Sequence, residues 1–259
     1  MAATDRQSTR VEVLGTGRTA AVVAAGLARL GHRVRCRQPD SALLHTETGL
    51  LGTILQTTRS GRLSFAPGAG ADLVVVCGAG EDELAAVEPE LRPGRVVVNA
   101  GLGPWESTPD LAEFLGRTGV AVVSNPQCLR EGAELDDFLT PGCIVVGAGS
   151  AAAAREVEAL YTDVDAPVLH VDVRSADLIA PVGNGFCAVE QCFVAELTRL
   201  CSRVGADPCS VLECLRADQR VGHAGTARMS AEQRRSLERL LELARPDPPA
   251  MLRALAEQF

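Results

Sequence analysis

The sequence contains no lysine, and its acidic residues outnumber Lys plus Arg by 33 to 25. The absence of lysine removes that side chain from every proton-transfer or imine role. The shortage of positive charge, a net −8, comes with no basic stripe, so nucleic acid is not an expected partner. No uninterrupted apolar run approaches the roughly 18 residues of a membrane helix. Met1 to Arg10 is polar and lacks the apolar core of a signal peptide. No membrane partner is therefore expected, and the expected location is cytoplasmic. Cys-x-x-Cys pairs and histidines at zinc spacing are also missing. The nine cysteines, Cys36, Cys77, Cys128, Cys143, Cys187, Cys192, Cys201, Cys209 and Cys214, are expected to be small, mostly buried thiols. What the chain does have is 46% hydrophobic residues in 259, ample for a core in one large or two small domains.

Along the first half, short apolar runs alternate with amphipathic stretches. Val11–Leu14, Val34–Arg37, Leu73–Cys77, Val96–Val98, Val120–Val123 and Ile144–Val146 read as strands. Helical patterns lie near Thr19–Leu30, Glu81–Leu91, Pro109–Arg117 and Ser150–Tyr161, and Gly31 fits a helix cap. This alternation predicts an α/β fold, a doubly wound, mainly parallel sheet with helices on both faces. The second half changes to 3.6-residue periodicity. One long helix is expected over Ser175–Val204, then Cys209–Arg216 with Asp207 as N-cap and Pro208 at the first helical position. A charged helix over Ala231–Ala244 and a short one over Pro248–Gln258 follow. The expected division is an α/β domain over 10–172 and an all-helical domain over 173–259.

Gly15-x-Gly17-x-x-Ala20 falls between the first strand and the first helix. There the first Gly makes the turn, the second lets the backbone approach a pyrophosphate, and the small third residue lets helix pack on strand. This is where a Rossmann dinucleotide fingerprint should lie, with Gly15, Thr16, Gly17 and Arg18 as cofactor-binding candidates; the alternative is a glycine turn in a non-binding relic. The acidic residue that would hold the ribose of NAD is replaced by Gln38, which hydrogen-bonds a hydroxyl but carries no charge. Arg35 and Arg37 stand nearby. Arg37 is either a receiver for the 2′-phosphate of NADP or a solvated surface residue, so NAD and NADP both remain open.

The stretch Ser124–Gly147, SNPQCLREGAELDDFLTPGCIVVG, resembles the SNPEFLREG…DF…P…RIVIG pattern of the UDP-glucose/GDP-mannose 6-dehydrogenase family. Ala176-Asp177-Leu178, Asn184, Phe186, Ala188, Glu196 and Gly205-Ala206-Asp207 are similar to that family's long-helix block. Asp218-Gln219-Arg220-Val221-Gly222 resembles its DxRIG. The blocks occur in order over residues 11 to 222. The resemblance implies a Rossmann-type domain that binds NAD(P) and a helical domain that builds a homodimer on the long helix. It also implies a small-molecule substrate bound by Gln127, Leu129, Arg130 and Glu131, with Arg220 reaching it, often across the dimer. Asn184 matches a residue that contacts the reacting oxygen.

The departures from the pattern bear on chemistry. The glutamate of NPEF is Gln127, which has no general-base ability. The phenylalanine after it is Cys128, and the arginine of RIVIG is Cys143. The catalytic lysine is Ala180, and a second helix lysine is Glu190. The segment with the nucleophilic cysteine has no counterpart after Gly222, nor has the third domain, so a shortened member is expected. Cys187 or Cys128 as a substitute nucleophile, and His223 as a base, compete with ordinary filler roles. Two functional readings follow. The preferred one is an NAD(P)-dependent oxidoreductase making a single hydride transfer on an alcohol or carbonyl. The other is a catalytically inactive cofactor- or partner-binding scaffold.

Overall fold

Strands and helices alternate up to Val171 in the computed structural model, which describes residues 8–37, 49–65, 70–101, 107–218 and 231–243. The strands are β1 (Arg10–Leu14), β2 (Arg33–Cys36), β3 (Leu63–Ser64), β4 (Leu73–Val76), β5 (Val96–Asn99), β6 (Ala121–Ser124), β7 (Ile144–Gly147) and β8 (Val168–Val171). They form one sheet in the order β3-β2-β1-β4-β5-β6-β7-β8. All neighbours are parallel except β6 and β7, which meet antiparallel at Ser124 and Gly147. Between the strands run α1 (Arg18–Arg29), α2 (Leu50–Arg59), α3 (Glu81–Val87), α4 (Thr108–Phe114), α5 (Glu134–Leu139) and α6 (Ala151–Glu158). The strand order reverses between β1 and β4, and at such a switch point the crevice beyond the carboxyl ends of the strands is the natural ligand position.

The doubly wound, mainly parallel sheet read from the sequence is therefore present. Its physical basis is visible in the alternation along each strand. Leu73 and Val75 of β4 join one apolar cluster with Val11, Val13, Val96 and Val98. Val74 and Val76 join the opposite cluster with Leu14, Val97, Leu84 and Leu111. Successive side chains point to opposite faces, so a run of valines builds two cores at once. In α1, every residue from Ala20 to Ala28 is buried, which small side chains permit. At Gly26 an added Cβ would stand 2.2 Å from Cδ1 of Phe138 in α5. Gly31, at φ +106°, ends the α1 segment as expected. α2, α5, β3 and β8 were not anticipated, because they are short or lack a clear period.

The chain divides into two compact units, Met1–Asp177 and Leu178–Phe259. The division falls within α7 (Val173–Val204), one turn before Pro181, whose ring nitrogen has no proton to give the Asp177 carbonyl. Among the described residues the second unit is helical, with the rest of α7, α8 (Pro208–Ala217) and α9 (Ala231–Leu243). Asp207 caps α8, its carboxylate accepting from the backbone N–H groups of Cys209 and Ser210. α7 meets α9 through Cys192 and Leu237 and at Gly185, where an added Cβ would lie 2.7 Å from Leu240. The expected helix over Pro248–Gln258 lies outside the described residues.

Two expectations need correction. α7 is, by length and composition alone, long and apolar enough to cross a membrane. Its apolar residues are spread between Asn184, Glu190 and Gln191, so counting uninterrupted runs missed it. The cysteines are not mostly buried: Cys36, Cys77, Cys192 and Cys201 are, whereas Cys128, Cys143, Cys187, Cys209 and Cys214 are exposed. The exposed ones sit on loops of the first unit and on open faces of α7 and α8.

His32, between α1 and β2, gives the first unit a pH response. It is buried, donates Nε2–H to the Leu160 carbonyl at 2.9 Å, and keeps Nδ1 buried without a partner. Burial pushes the imidazole below its ordinary 6.5, outweighing the upward pull of the Leu160 carbonyl and Asp163. Below pH 6.5 the unfolded chain takes up a proton that the folded His32 resists, so stability present at neutral pH falls as the solution is acidified. Urea midpoints measured from pH 8 to 5 should decline at the acid end. The decline should be shallower in His32→Gln, and equal slopes for the two proteins would exclude His32 as the source.

Candidate functional site

β1 runs into Gly15, whose φ of +116° is closed to ordinary side chains and whose added Cβ would lie 2.2 Å from the Cys77 carbonyl oxygen. That contact joins the ends of β1 and β4 at the switch point. Gly17 differs. It is the N-cap of α1 with extended backbone and no side-chain cap, and nothing lies within 4 Å of an added Cβ. The first turn of α1 carries no acidic residue. Its unpaired N–H groups and the positive end of the helix dipole therefore meet open space, which suits an anion. Ala20 stands 3.5 Å from where a Gly15 Cβ would be, the close helix–strand approach that a small residue allows. The geometry fits a dinucleotide pyrophosphate.

Arg18 opens α1 and points to the loop before α5. Its guanidinium donates to Glu134 at 2.8 Å and lies 3.9 Å from Glu131. The Glu134 side chain is 7% exposed, and its other oxygen accepts from the Gly132 backbone N–H at 2.8 Å. This pair ties the glycine loop to the loop carrying the expected substrate residues. Gln127, Leu129 and Arg130 line one cavity of about 430 Å³ together with Cys128 and Cys143. Arg130 is clamped by Asp137, which also accepts its backbone N–H at 2.7 Å. Glu131 faces Arg18 instead.

Gln127, itself half-buried, is a donor to a polar knot around the buried Asn125 and Tyr161. Its Nε2 lies 2.9 Å from both the backbone and side-chain oxygens of Asn125. Tyr161 donates its hydroxyl proton to the same Asn125 Oδ1 at 2.6 Å, and Asn125 Nδ2 donates to the Val145 carbonyl at 2.7 Å. Burial pushes the Tyr161 hydroxyl well above its usual value, so it remains a proton donor. Asn125 cannot rotate its amide without losing Val145. A carboxylate at position 127 would then face two acceptors. Gln127→Glu is expected to destabilise the protein by about 1–3 kcal/mol at neutral pH. The new carboxyl should be held above its ordinary value, so its folded form favours the proton. The deficit should shrink on acidification and reach full size as pH rises through that raised value. Thermal midpoints of both proteins across pH 4 to 8 test this, and a Gln127→Glu protein as stable as the parent at pH 7 would show that the knot tolerates a base.

A second polar cluster had no local signal. The Asp177 carboxylate accepts from the Thr108 backbone N–H at 2.8 Å, the Thr108 hydroxyl at 2.6 Å and the Ser124 hydroxyl at 2.6 Å. Asn99 Nδ2 donates to Thr108 Oγ1 at 3.0 Å. Residues far apart in sequence are gathered at the carboxyl ends of β5 and β6. Only the fold could reveal that Asp177, quoted above merely as part of a motif, binds them.

Cys36, Cys77 and Cys187 are poor nucleophiles by environment. Burial, with Glu12 adding to it, pushes the Cys36 thiol up to about 12. Burial raises Cys77 further, and partial desolvation with Glu190 raises Cys187. In the second unit Asn184 Nδ2 donates to the buried Ser236 hydroxyl at 3.0 Å. Gln38, Arg220 and His223 lie outside the described residues. Among the described residues no group of His, Cys, Asp and Glu is arranged to hold a metal ion.

The sheet order and glycine loop define a Rossmann-type α/β protein. No protein-family model matches the chain. It is 28% identical over 246 residues to UDP-glucose 6-dehydrogenase TuaD of Bacillus subtilis, covering 82% of this chain and 53% of that protein. It is 30% identical over 258 residues to a UDP-glucose 6-dehydrogenase of Rhizobium meliloti, covering 83% and 59%. A UDP-glucose dehydrogenase structure from the archaeon Pyrobaculum islandicum matches with TM-score 0.80 and 26% identity, over 100% of this chain and 70% of that one. In sequence and fold the chain is similar to nucleotide-sugar dehydrogenases. It spans a little over half the length of the curated relatives it matches.

Proposed function

We propose that this protein is an NAD(P)-dependent oxidoreductase of the nucleotide-sugar dehydrogenase type, making a single hydride transfer at a CH–OH or carbonyl carbon. The observation that carries this is the open, uncapped N-terminus of α1 at Gly17 beside the packed Gly15, at the sheet's switch point. Gly15, Thr16 and Gly17 would cradle the pyrophosphate, with Arg18 fixing the adjoining loop through Glu134 and Gln38 at the adenosine ribose. Bound nicotinamide would supply the hydride acceptor or donor. Gln127, Leu129, Arg130, Glu131 and Arg220 would bind a small-molecule substrate. Asn184, whose bond to Ser236 leaves one N–H and its carbonyl oxygen for a ligand, would contact the reacting oxygen.

In this reading residues 10–172 are the dinucleotide domain and 173–259 a helical domain that pairs two copies. Support for a homodimer comes from the open apolar face of α7, where Val182, Phe186, Phe193, Leu200 and Val204 are exposed. The half-buried Glu190 beside that face suits a protein interface better than a bilayer, consistent with a cytoplasmic enzyme.

A scaffold without catalysis is the second reading, favoured by the Gln127 knot and by Ala180. Losing a general base typically costs about 10²–10⁴-fold, so slow turnover is the expected outcome for an enzyme on this frame. The test is NAD(P)H formation over a panel of alcohols, UDP-glucose included, with products identified by mass. One reduced nicotinamide per substrate turned over supports the enzyme. Two per UDP-glucose, with uronic acid at an ordinary rate, would overturn the single-transfer reading, and silence with tight dinucleotide binding would favour the scaffold.

A further inference from the structure

We propose that the adenosine end of the site is built for a 2′-phosphate, so that this chain prefers NADP to NAD, with Arg37 as the deciding residue. The inference rests on the dinucleotide reading above. β2 lies parallel to β1 with Cys36 paired to Val13, so the residues leaving β2 emerge beside the glycine loop. In a Rossmann site that position meets the adenosine ribose, and a carboxylate there holds the 2′-hydroxyl of NAD while an arginine accommodates the phosphate of NADP. Here the strand is followed by Arg37-Gln38, and the nearest carboxylate in sequence is Asp40, beyond Pro39.

The arginines of β2 divide by their surroundings. Arg35 lies opposite Glu12 in the sheet and donates to it through Nε at 2.8 Å, both side chains at most 25% exposed. Its charge is consumed within the fold. Arg33 stands at the opposite end of the strand. Arg37 is past the carboxyl end and 62% exposed, with Nε 3.4 Å from Glu83 Oε1. A contact through Nε leaves both terminal nitrogens for a phosphate, which the guanidinium fork binds in a bidentate manner. Glu83 opens the other side of the crevice, in the first turn of α3 after β4. The pair places Arg37 between the end of β2 and the first turn of α3.

The first turn of α3 also carries Glu81 and Asp82, which oppose an added phosphate. Arg37 is the cation that offsets them. Removing it should abolish the preference for NADP, since the Arg37 charge would no longer offset the acidic first turn of α3.

Calorimetric titration of the full chain with NADP⁺ and NAD⁺ tests this, with Arg37→Gln alongside. The parent should bind NADP⁺ about tenfold or more tighter, the value of one good charge-assisted contact. Arg37→Gln should lose that margin and bind NAD⁺ within about threefold of the parent, since the exposed Arg37 side chain makes an ion pair at 3.4 Å that is of little worth to folding. Circular dichroism checks that the variant is folded. Equal or tighter NAD⁺ binding by the parent would overturn the inference and leave the dinucleotide reading standing. A preference unchanged in Arg37→Gln would remove Arg37 from the role. Failure of both dinucleotides to bind would overturn the inference and the proposed function together.

Discussion

Gly17→Glu is expected to fold and to lose nicotinamide dinucleotide binding by about a hundredfold or more, equivalent to roughly 3 kcal/mol. The backbone at Gly17 is extended and an added Cβ meets nothing within 4 Å, so the fold has no reason to object. The new carboxylate would occupy the space beyond the N-terminus of α1 and satisfy the N–H groups that a pyrophosphate would otherwise take. Calorimetry with both dinucleotides, and a thermal melt, separate the effects. Gly15→Ala is the contrast: its Cβ would strike the Cys77 carbonyl at 2.2 Å in a left-handed conformation, so it should lower the melting temperature as well. Unchanged affinity in Gly17→Glu would remove the loop from cofactor binding.

Phe138→Ala is expected to destabilise the first unit by about 3–5 kcal/mol, a large part of the roughly 5–15 kcal/mol that holds a typical domain folded. Phe138 is fully buried between α1 and Tyr161, its ring centroid 5.8 Å from that of Tyr161. Gly26→Ala attacks the same contact from the other side. Its Cβ would lie 2.2 Å from the ring, and overpacking of this kind costs about 1–3 kcal/mol. Combining Gly26→Ala with Phe138→Leu should be less damaging than the sum of the two, since a smaller residue makes room for the methyl group. Urea denaturation of the four proteins measures the coupling, and strict additivity would mean that α1 and α5 do not meet there.

The glycine loop, the valine strands, the Asp207 cap and the long helix were all legible in the sequence. Each depends on forces that act within a few residues: backbone sterics at Gly15, alternation along β4, and the carboxylate of Asp207 reaching N–H groups two and three positions on. The short elements were not legible. β8 pairs with β7 along four residues but exposes Leu169 and His170, so its pattern carries no alternating apolar signal. The thiols were misjudged for a related reason, because burial of a small residue depends on what the fold brings over it.

By itself the sequence determined that a glycine turn would stand between a buried strand and a small-residue helix, and that no lysine would serve the chemistry. It also determined that position 127 would carry an amide rather than an acid. Only the tertiary structure decided what that amide does. Asn125 and Tyr161 are brought together across 36 positions and make Gln127 a proton donor in a closed knot. Asp177, Thr108 and Ser124 meet because β5 and β6 end side by side with the start of α7. Arg18 and Glu134 pair across 116 positions. Sequence separation carries no information about such contacts: hydrogen bonds and ion pairs reach only a few ångströms, and the sheet's strand order sets which side chains come within that reach.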